Sequence, residues 1–478
     1  METLTQDPRS QGADAHVTCE TSQGLELHAT ILRLGAHDVV FEIYSPSPVL
    51  RVSEALDNFS IVLRNRVAYS GRAVITSIVN TGNILVCEAN LQDAWLGSEL
   101  PSMAHQPSEL RGEFAAFMRH WEKSYKIRPE FKIIISDLQC FLTDLRLWLE
   151  QLELGIRSLP SGNRMNAEHA VVQELSASTT PALAFFFEKF ERAAAEIEPE
   201  LKAANAAFCR RHLHPLLMAS PFMHRIYAKP LGYAGDYEMV NMILRDPCEG
   251  GSLFAKLLNV FILSQVPAVA HRNRVSYMTK VLVQETSRLR SLGRSIKILN
   301  LGCGPAREIQ DFLVQYDLSN HAEFELLDFD QETLAHVQQK LSELKRLHSR
   351  RTGVVIAKKS VHQVLKNAAK PNTNLRPYDL IYCAGLFDYL NDRACQGLLG
   401  YFYNLLAPGG LLLSTNVEST NPIRNIMEYM FEWHLVYRSG SDFITLAPPE
   451  AVPEFVSLTA DTSSGNLFLE VRKPLTSK

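Results

Sequence analysis

Residues able to do chemistry concentrate at three places in this chain. The first is ILNLGCGPAREI at 298–309, an apolar run that breaks at Gly302 and Gly304 and then continues in a helical pattern. Glycines at that spacing permit a tight turn and let a ligand approach the backbone closely. A dinucleotide-binding fingerprint would need glycine or alanine at 307. Arg307 stands there, and with Glu308 at the helix start it disfavours a pyrophosphate. A second apolar run ends, 24 residues after Gly304, in Leu327-Asp328-Phe329-Asp330. An acid at such a strand tip can accept hydrogen bonds from both hydroxyls of a ribose. The second place is RIYAKPLGYAGDYEMVNMI at 225–243, where Pro230, Gly232 and Gly235 sit among Tyr227, Lys229, Tyr233, Asp236 and Tyr237. Loops of this composition often carry function, although a turn that locks two helices would use the same residues. The third is AHRNRVSYM at 270–278. His271 and Arg274 lie three apart and share a helix face, where an arginine would suit a carboxylate and a solvated basic face reads equally well. Tyr233, Asp236, Tyr237 and His271 are the candidates for catalytic roles.

The elements that must position these residues follow from periodicity. Short runs rich in Val, Ile, Phe and Tyr fill residues 15–100, punctuated by Gly, Asn, Pro and Ser, and suit a small antiparallel barrel or sandwich. From about 107 the period becomes helical; SGNRMN at 161–166 reads as a loop, and further helices follow to about 293. From about 295, apolar strands alternate with amphipathic helices, which predicts a parallel doubly wound sheet. FVSLTAD and NLFLEVRKP, separated by TSSG, close it as an antiparallel hairpin. The expectation is a multidomain chain: a β-barrel over 1–106, an α-helical region over 107–293 and an α/β Rossmann-like domain over 294–478. Charge supports the first boundary. Residues 1–100 carry six arginines, no lysine and twelve acids, a balance of −6, within a 478-residue chain of net charge −4.

That overall balance gives no basic footprint, so no nucleic-acid partner is expected. The eight cysteines are scattered and form no CxxC pair, which reads as reduced thiols in a cytoplasmic protein with no metal site. The polar N-terminus lacks the apolar region of a signal peptide. The most apolar segment, 253–270, is interrupted by Lys256, Gln265 and Pro267 and reads as a buried helix, not a membrane span.

In combination, LNLGCGPARE, Asp328, YDLIYCAGLFDYL at 378–390 and LLAPGGLLLSTN at 405–416 resemble the class I S-adenosylmethionine-dependent methyltransferases. The resemblance covers about 295–475. It implies S-adenosylmethionine as cofactor, with Gly302 and Gly304 lining the methionine moiety and Asp328 on the ribose. Phe329, Ser360, Val361 and Cys383 fall at the other cofactor-facing positions, and Arg274 suits the cofactor carboxylate. Many members carry an acid after the third strand for the adenine; Lys358-Lys359-Ser360-Val361 stands there instead.

Methyl transfer from a sulfonium is an in-line displacement governed by positioning, and a base is needed only for a protonated nucleophile. No [DN]-P-P-[YF] follows the fourth strand, which argues against nucleobase amines. Cys383 reads as a buried strand cysteine. The insert with KPLGYAGDYEMV, together with GLFDYL, resembles enzymes that make 3-hydroxypalmitic acid methyl ester, a bacterial signal. This implies a small acyl acceptor methylated on its carboxylate, with Leu253 to Ala270 and Phe185-Phe186-Phe187 as possible groove walls or simply core. VAYSGRAVITSIVNTGNILVCEANLQDAW at 67–95 resembles a PilZ-type barrel, but neither the RxxxR arm nor the [DN]xSxxG motif is present. Arg64, Arg66 and Arg72 do not supply them, and Arg51 reads as readily as a surface residue. Cyclic di-GMP is therefore not expected, and a regulatory role, or homodimerisation through the barrel or helical region, is. The alternatives are a non-catalytic S-adenosylmethionine sensor, or methylation of another small molecule, a protein or RNA.

Overall fold

A computed structural model describes residues 15–95 (except 23, 36, 45–49, 64–65, 81–83 and 94), then 111, 114, 115 and 118, and finally 127–368 and 377–475. Arg64, Thr81 and Gly82 lie outside the described residues. The chain divides into two compact units: 1–142, 189–216 and 425–434 form one, and 143–188, 217–424 and 435–478 the other. The helical region expected at 107–293 is thus shared between them.

In the first unit six antiparallel strands close a barrel: β1 (Ala15–Glu20), β2 (Glu26–Leu34), β3 (Asp38–Tyr44), β4 (Ala55–Leu63), β5 (Arg66–Asn80) and β6 (Ile84–Leu91), in the order β1-β2-β3-β6-β5-β4. Closure leaves no unpaired edge. Alternate residues point inward, so Val17, Cys19, Phe41, Phe59, Ile61, Tyr69, Cys87 and Ala89 form the core. Phe41 and Phe59 lie 5.8 Å apart, centroid to centroid. Arg51 is buried, not on the surface; its N–H donates to Glu54 Oε2 (3.0 Å), and that carboxylate also accepts from the Ser22 hydroxyl (2.6 Å).

Residues 425–434 belong to this unit although they follow the fifth strand of the other. Glu191 supplies the cap for their helix, accepting the N–H groups of Asn425 (3.1 Å) and Ile426 (2.8 Å). Tyr429 packs against Phe131 and Phe190, the buried Glu432 pairs with Arg210 (3.1 Å), and Ser53 Oγ donates to the His434 carbonyl (2.9 Å).

The second unit is built on seven strands: β7 (Ile296–Leu301), β8 (Ala322–Asp328), β9 (Gly353–Lys358), β10 (Tyr378–Cys383), β11 (Leu406–Val417), β12 (Val456–Ala460) and β13 (Asn466–Arg472). Their order is β12-β13-β11-β10-β7-β8-β9, parallel from β9 to β11, with β13 antiparallel to both β11 and β12. The order reverses between β7 and β10. In open α/β sheets ligands bind at such a switch point, beyond the carboxyl ends of the strands.

Three details differ from the sequence reading. SGNRMN is no loop; it opens the helix Ser161–Ala195, because Pro160 precedes the first turn and its carbonyl accepts the Asn163 N–H (2.9 Å). The apolar 253–270 segment forms two helices, Leu253–Leu263 and Val266–Arg290, bent by 62°. Pro267 cannot donate to the preceding turn, so a new helix begins there. Pro408-Gly409-Gly410, which the resemblance implies is a turn before the fifth strand, lies within β11, where the register against β10 shifts. Among the described residues no single helix is long and apolar enough to cross a membrane.

Candidate active site

β7 delivers the chain into the glycine turn, where Gly302 and Gly304 have φ of +69° and +50°. These are left-handed angles that a side chain would strain. The Gly302 N–H donates to the Leu327 carbonyl (2.8 Å), which ties the turn to the end of β8. Asp328, buried at that strand end, takes the Gly304 N–H on Oδ2 (3.2 Å) and the Asp330 N–H on Oδ1 (3.1 Å). Two backbone donors therefore fix the orientation of this carboxylate. No heavy atom lies within 4 Å of where a Cβ on Gly304 would stand, so a ligand can approach that backbone. The turn and acid fit the methionine and ribose parts of S-adenosylmethionine.

Phe329 follows, and its ring packs 5.3 Å from that of Tyr233. Tyr233 belongs to the 225–243 segment, which holds a short loop between the helices Pro221–Ala228 and Tyr237–Leu244. Asp236 sits at its end as an N-cap, accepting the Met239 N–H (2.7 Å) and both Nε and Nη2 of Arg225 (3.0 and 2.8 Å). A carboxylate so engaged holds the loop's shape. The Tyr237 hydroxyl donates to Glu332 (2.8 Å) at the start of the helix after β8, and burial with this acid pushes its pKa up to about 12. Gly235 leaves room for the Tyr389 hydroxyl; a Cβ would collide with it.

His271 and Arg274 do share a face, with Arg274 Nη2 2.6 Å from His271 Nε2. Burial first, and then the Arg274 charge, hold His271 well below its ordinary value, so it stays neutral and accepts from the guanidinium. Arg274 is buried as well. Its guanidinium packs under Gly385, where a Cβ would come within 2.9 Å of Nη2, and its Nη1 lies 3.7 Å from Asp388 Oδ2. Burial raises the Asp388 pKa to about 6 against the pull of Arg274. Leu386 lies beside Gly302, so this cluster and the glycine turn adjoin.

The remaining cofactor candidates occupy strand ends. Cys383 is buried at the end of β10, and burial pushes its thiol well up, as expected of a core cysteine. Beyond β9 the Lys359 N–H donates to the Asp328 carbonyl (2.8 Å), and Ser360 caps the helix Val361–Ala368, exchanging bonds with Gln363 (2.9 and 3.3 Å). Phe187 packs edge-on to Phe261 at 4.8 Å, as core, while Phe185 is exposed. Asp388, Tyr389 and Arg225 were missed as site residues. GLFDYL contained the first two, but nothing local marks which side chains turn inward.

Residues 299–412, from within β7 to within β11, match the family model described as a methyltransferase domain. This stretch is a methyltransferase domain. No curated protein matches the chain. Among solved structures it is similar to a "possible exported protein" from Bordetella parapertussis, at 18% identity and TM-score 0.43, covering 66% of this chain and 99% of that one. It is similar also to the magnesium protoporphyrin IX methyltransferase of Synechocystis with bound S-adenosylhomocysteine, at 12% identity and TM-score 0.31, covering 45% and 87%. A third is the N-methyltransferase NodS of Bradyrhizobium japonicum with S-adenosylhomocysteine, at 14% identity and TM-score 0.30, covering 50% and 98%.

Proposed function

We propose that the methyltransferase domain methylates the carboxylate of a small acyl acceptor, a hydroxy fatty acid of the 3-hydroxypalmitate class. The observation that carries this reading is that two of the candidate bases, His271 and Asp236, have their acceptor atoms already engaged. The His271 ring nitrogen already accepts from the Arg274 guanidinium (2.6 Å), and Asp236 is occupied by Arg225 and the Met239 N–H. An acceptor that is already ionised at neutral pH needs neither. The resemblance of KPLGYAGDYEMV and GLFDYL to ester-forming enzymes points the same way.

When bound, S-adenosylmethionine supplies an electrophilic methyl group on its sulfonium. Gly302 and Gly304 would admit the methionine moiety and Asp328 would accept the ribose hydroxyls. Arg274, a buried cation, would receive the cofactor carboxylate. Tyr233, packed on Phe329, would close over the cofactor, with Ser360 and Val361 beside the base and Cys383 beneath the methionine moiety. Tyr237 and Asp236 would hold that cover in place, and His271 would orient Arg274. Excluding water is the cover's contribution to positioning. The N-terminal barrel, PilZ-like in its strand pattern, would serve regulation or self-association.

Incubating the full chain with labelled S-adenosylmethionine and 3-hydroxypalmitate should give a labelled product that mild alkali releases. A product stable to alkali, or label only in precipitated polymer from extracts, would overturn the carboxylate reading while leaving methyl transfer in place.

A further inference from the structure

The turn after β10 is held by residues far away in sequence. Arg438 is buried, and its guanidinium donates from Nη1 to the Phe387 carbonyl (3.0 Å) and to Asn416 Oδ1. From Nη2 it donates to the Leu390 carbonyl (2.7 Å), and from Nε to Asp392 Oδ1 (2.9 Å). Two residues earlier, the Val436 N–H donates to the Asp388 carbonyl (2.7 Å), and its own carbonyl accepts from Asn416 Nδ2 (2.9 Å). Val417 N–H donates to Asp388 Oδ1 (2.7 Å). The four residues from Phe387 to Leu390 are thus fastened at both ends and in the middle. With Oδ1 given to Val417, Oδ2 is the Asp388 oxygen that faces Arg274, at 3.7 Å.

A planar guanidinium suits this task because its fork can bridge two carbonyls that diverge from one turn. A lysine reaches one of them. An apolar residue reaches neither and leaves both buried acceptors without this donor. The turn also carries Gly385 just upstream, under which the Arg274 guanidinium packs, so a shift of the turn moves two of the surfaces that confine Arg274.

We infer that Arg438 is a positioning residue of the methyltransferase site: it fixes the Phe387–Leu390 turn so that Asp388 and Gly385 hold Arg274 in place for a ligand carboxylate. The inference rests on the role proposed above for Arg274. Arg438 itself touches no ligand and acts through Asp388.

Two probes separate positioning from general stabilisation. S-adenosylhomocysteine carries the amino-acid carboxylate, whereas 5′-methylthioadenosine keeps the adenosine and thioether without it. Calorimetry on the full chain should show the wild type preferring S-adenosylhomocysteine at least tenfold. Arg438→Met should lose most of that preference while its affinity for 5′-methylthioadenosine stays within about twofold. Arg438→Lys should fall between the two, and millimolar guanidinium should restore the preference of Arg438→Met. A folded Arg438→Met protein that keeps the wild-type preference, or loses both ligands together, overturns the inference alone. A wild type that binds the two probes equally overturns the Arg274 reading, and this inference with it. Should Arg438→Met fail to fold, Asp388→Asn reads the same link: unchanged preference there overturns the chain of action, and a lost preference supports it.

Discussion

Asp328 offers the sharpest test of the cofactor site, because its two oxygens are already assigned. One takes the Gly304 N–H at 3.2 Å and the other the Asp330 N–H at 3.1 Å. Asparagine at 328 presents one oxygen and one NH2, so whichever way it turns, a backbone donor meets a donor. An unsatisfied buried donor costs about 1–3 kcal/mol, and that cost falls on stability, with or without ligand. The effect on affinity is separate. Of two ribose hydroxyls donating to the carboxylate, one would donate to the neutral amide oxygen, losing about 1 kcal/mol relative to a charged acceptor, and the other would face the NH2 and lose its acceptor. Together these losses give about 2–3 kcal/mol, or roughly 30- to 150-fold weaker binding. Asp328→Ala removes both bonds outright and should weaken binding further. The assay is titration calorimetry with S-adenosylhomocysteine, run beside a thermal melt without ligand so that the two costs are read independently. A folded Asp328→Ala protein whose affinity stays within threefold of wild type would refute the ribose assignment.

Two further outcomes follow from contacts at the same site. Gly235→Ala should cost about 1–3 kcal/mol, because the new methyl meets the Tyr389 hydroxyl. Adding Tyr389→Phe should return much of this, since the next atom, Cζ, lies 3.2 Å from the methyl position; melting curves that show simple additivity would mean the two do not touch. Asp388 has a folded pKa raised from 3.8 to about 6, so the native state holds its proton more tightly than the unfolded chain does. Its contribution to stability is present below pH 3.8 and is lost as pH rises towards 6, in all about 3 kcal/mol. Denaturant titrations should therefore show Asp388→Asn gaining on wild type by up to that amount between pH 4 and pH 7; a difference independent of pH would contradict it.

The glycine turn and the acid at the tip of β8 were legible because both are local patterns: a strand, two glycines, a helix, and an acid one crossover later. The strand alternation of the barrel and the final hairpin were legible for the same reason. What was not legible was non-local. Nothing in the sequence shows that Arg225, eleven positions before Asp236, and the helix after it engage that carboxylate as a cap. Arg51 gave no sign of burial, because nothing near it in sequence shows that the chain turns inward there. Arg438 lies 51 positions from the Phe387 carbonyl it holds, a pairing that no periodicity announces. Ser161 to Asn166 misled by composition: Ser, Gly and Asn favour turns only when no preceding residue nucleates a helix.

The sharing of residues 425–434 bears on how such a gene could be assembled. A module added at one end of a reading frame remains contiguous and can be lost as it came. Here ten residues of the first unit are encoded between two strands of the second. Shortening the frame to begin after residue 142 would keep them, together with Phe190 and Arg210, but would remove Phe131 from beside Tyr429 and Ser53 from the His434 carbonyl. A cut that keeps either unit whole must therefore be made at more than one place in the frame.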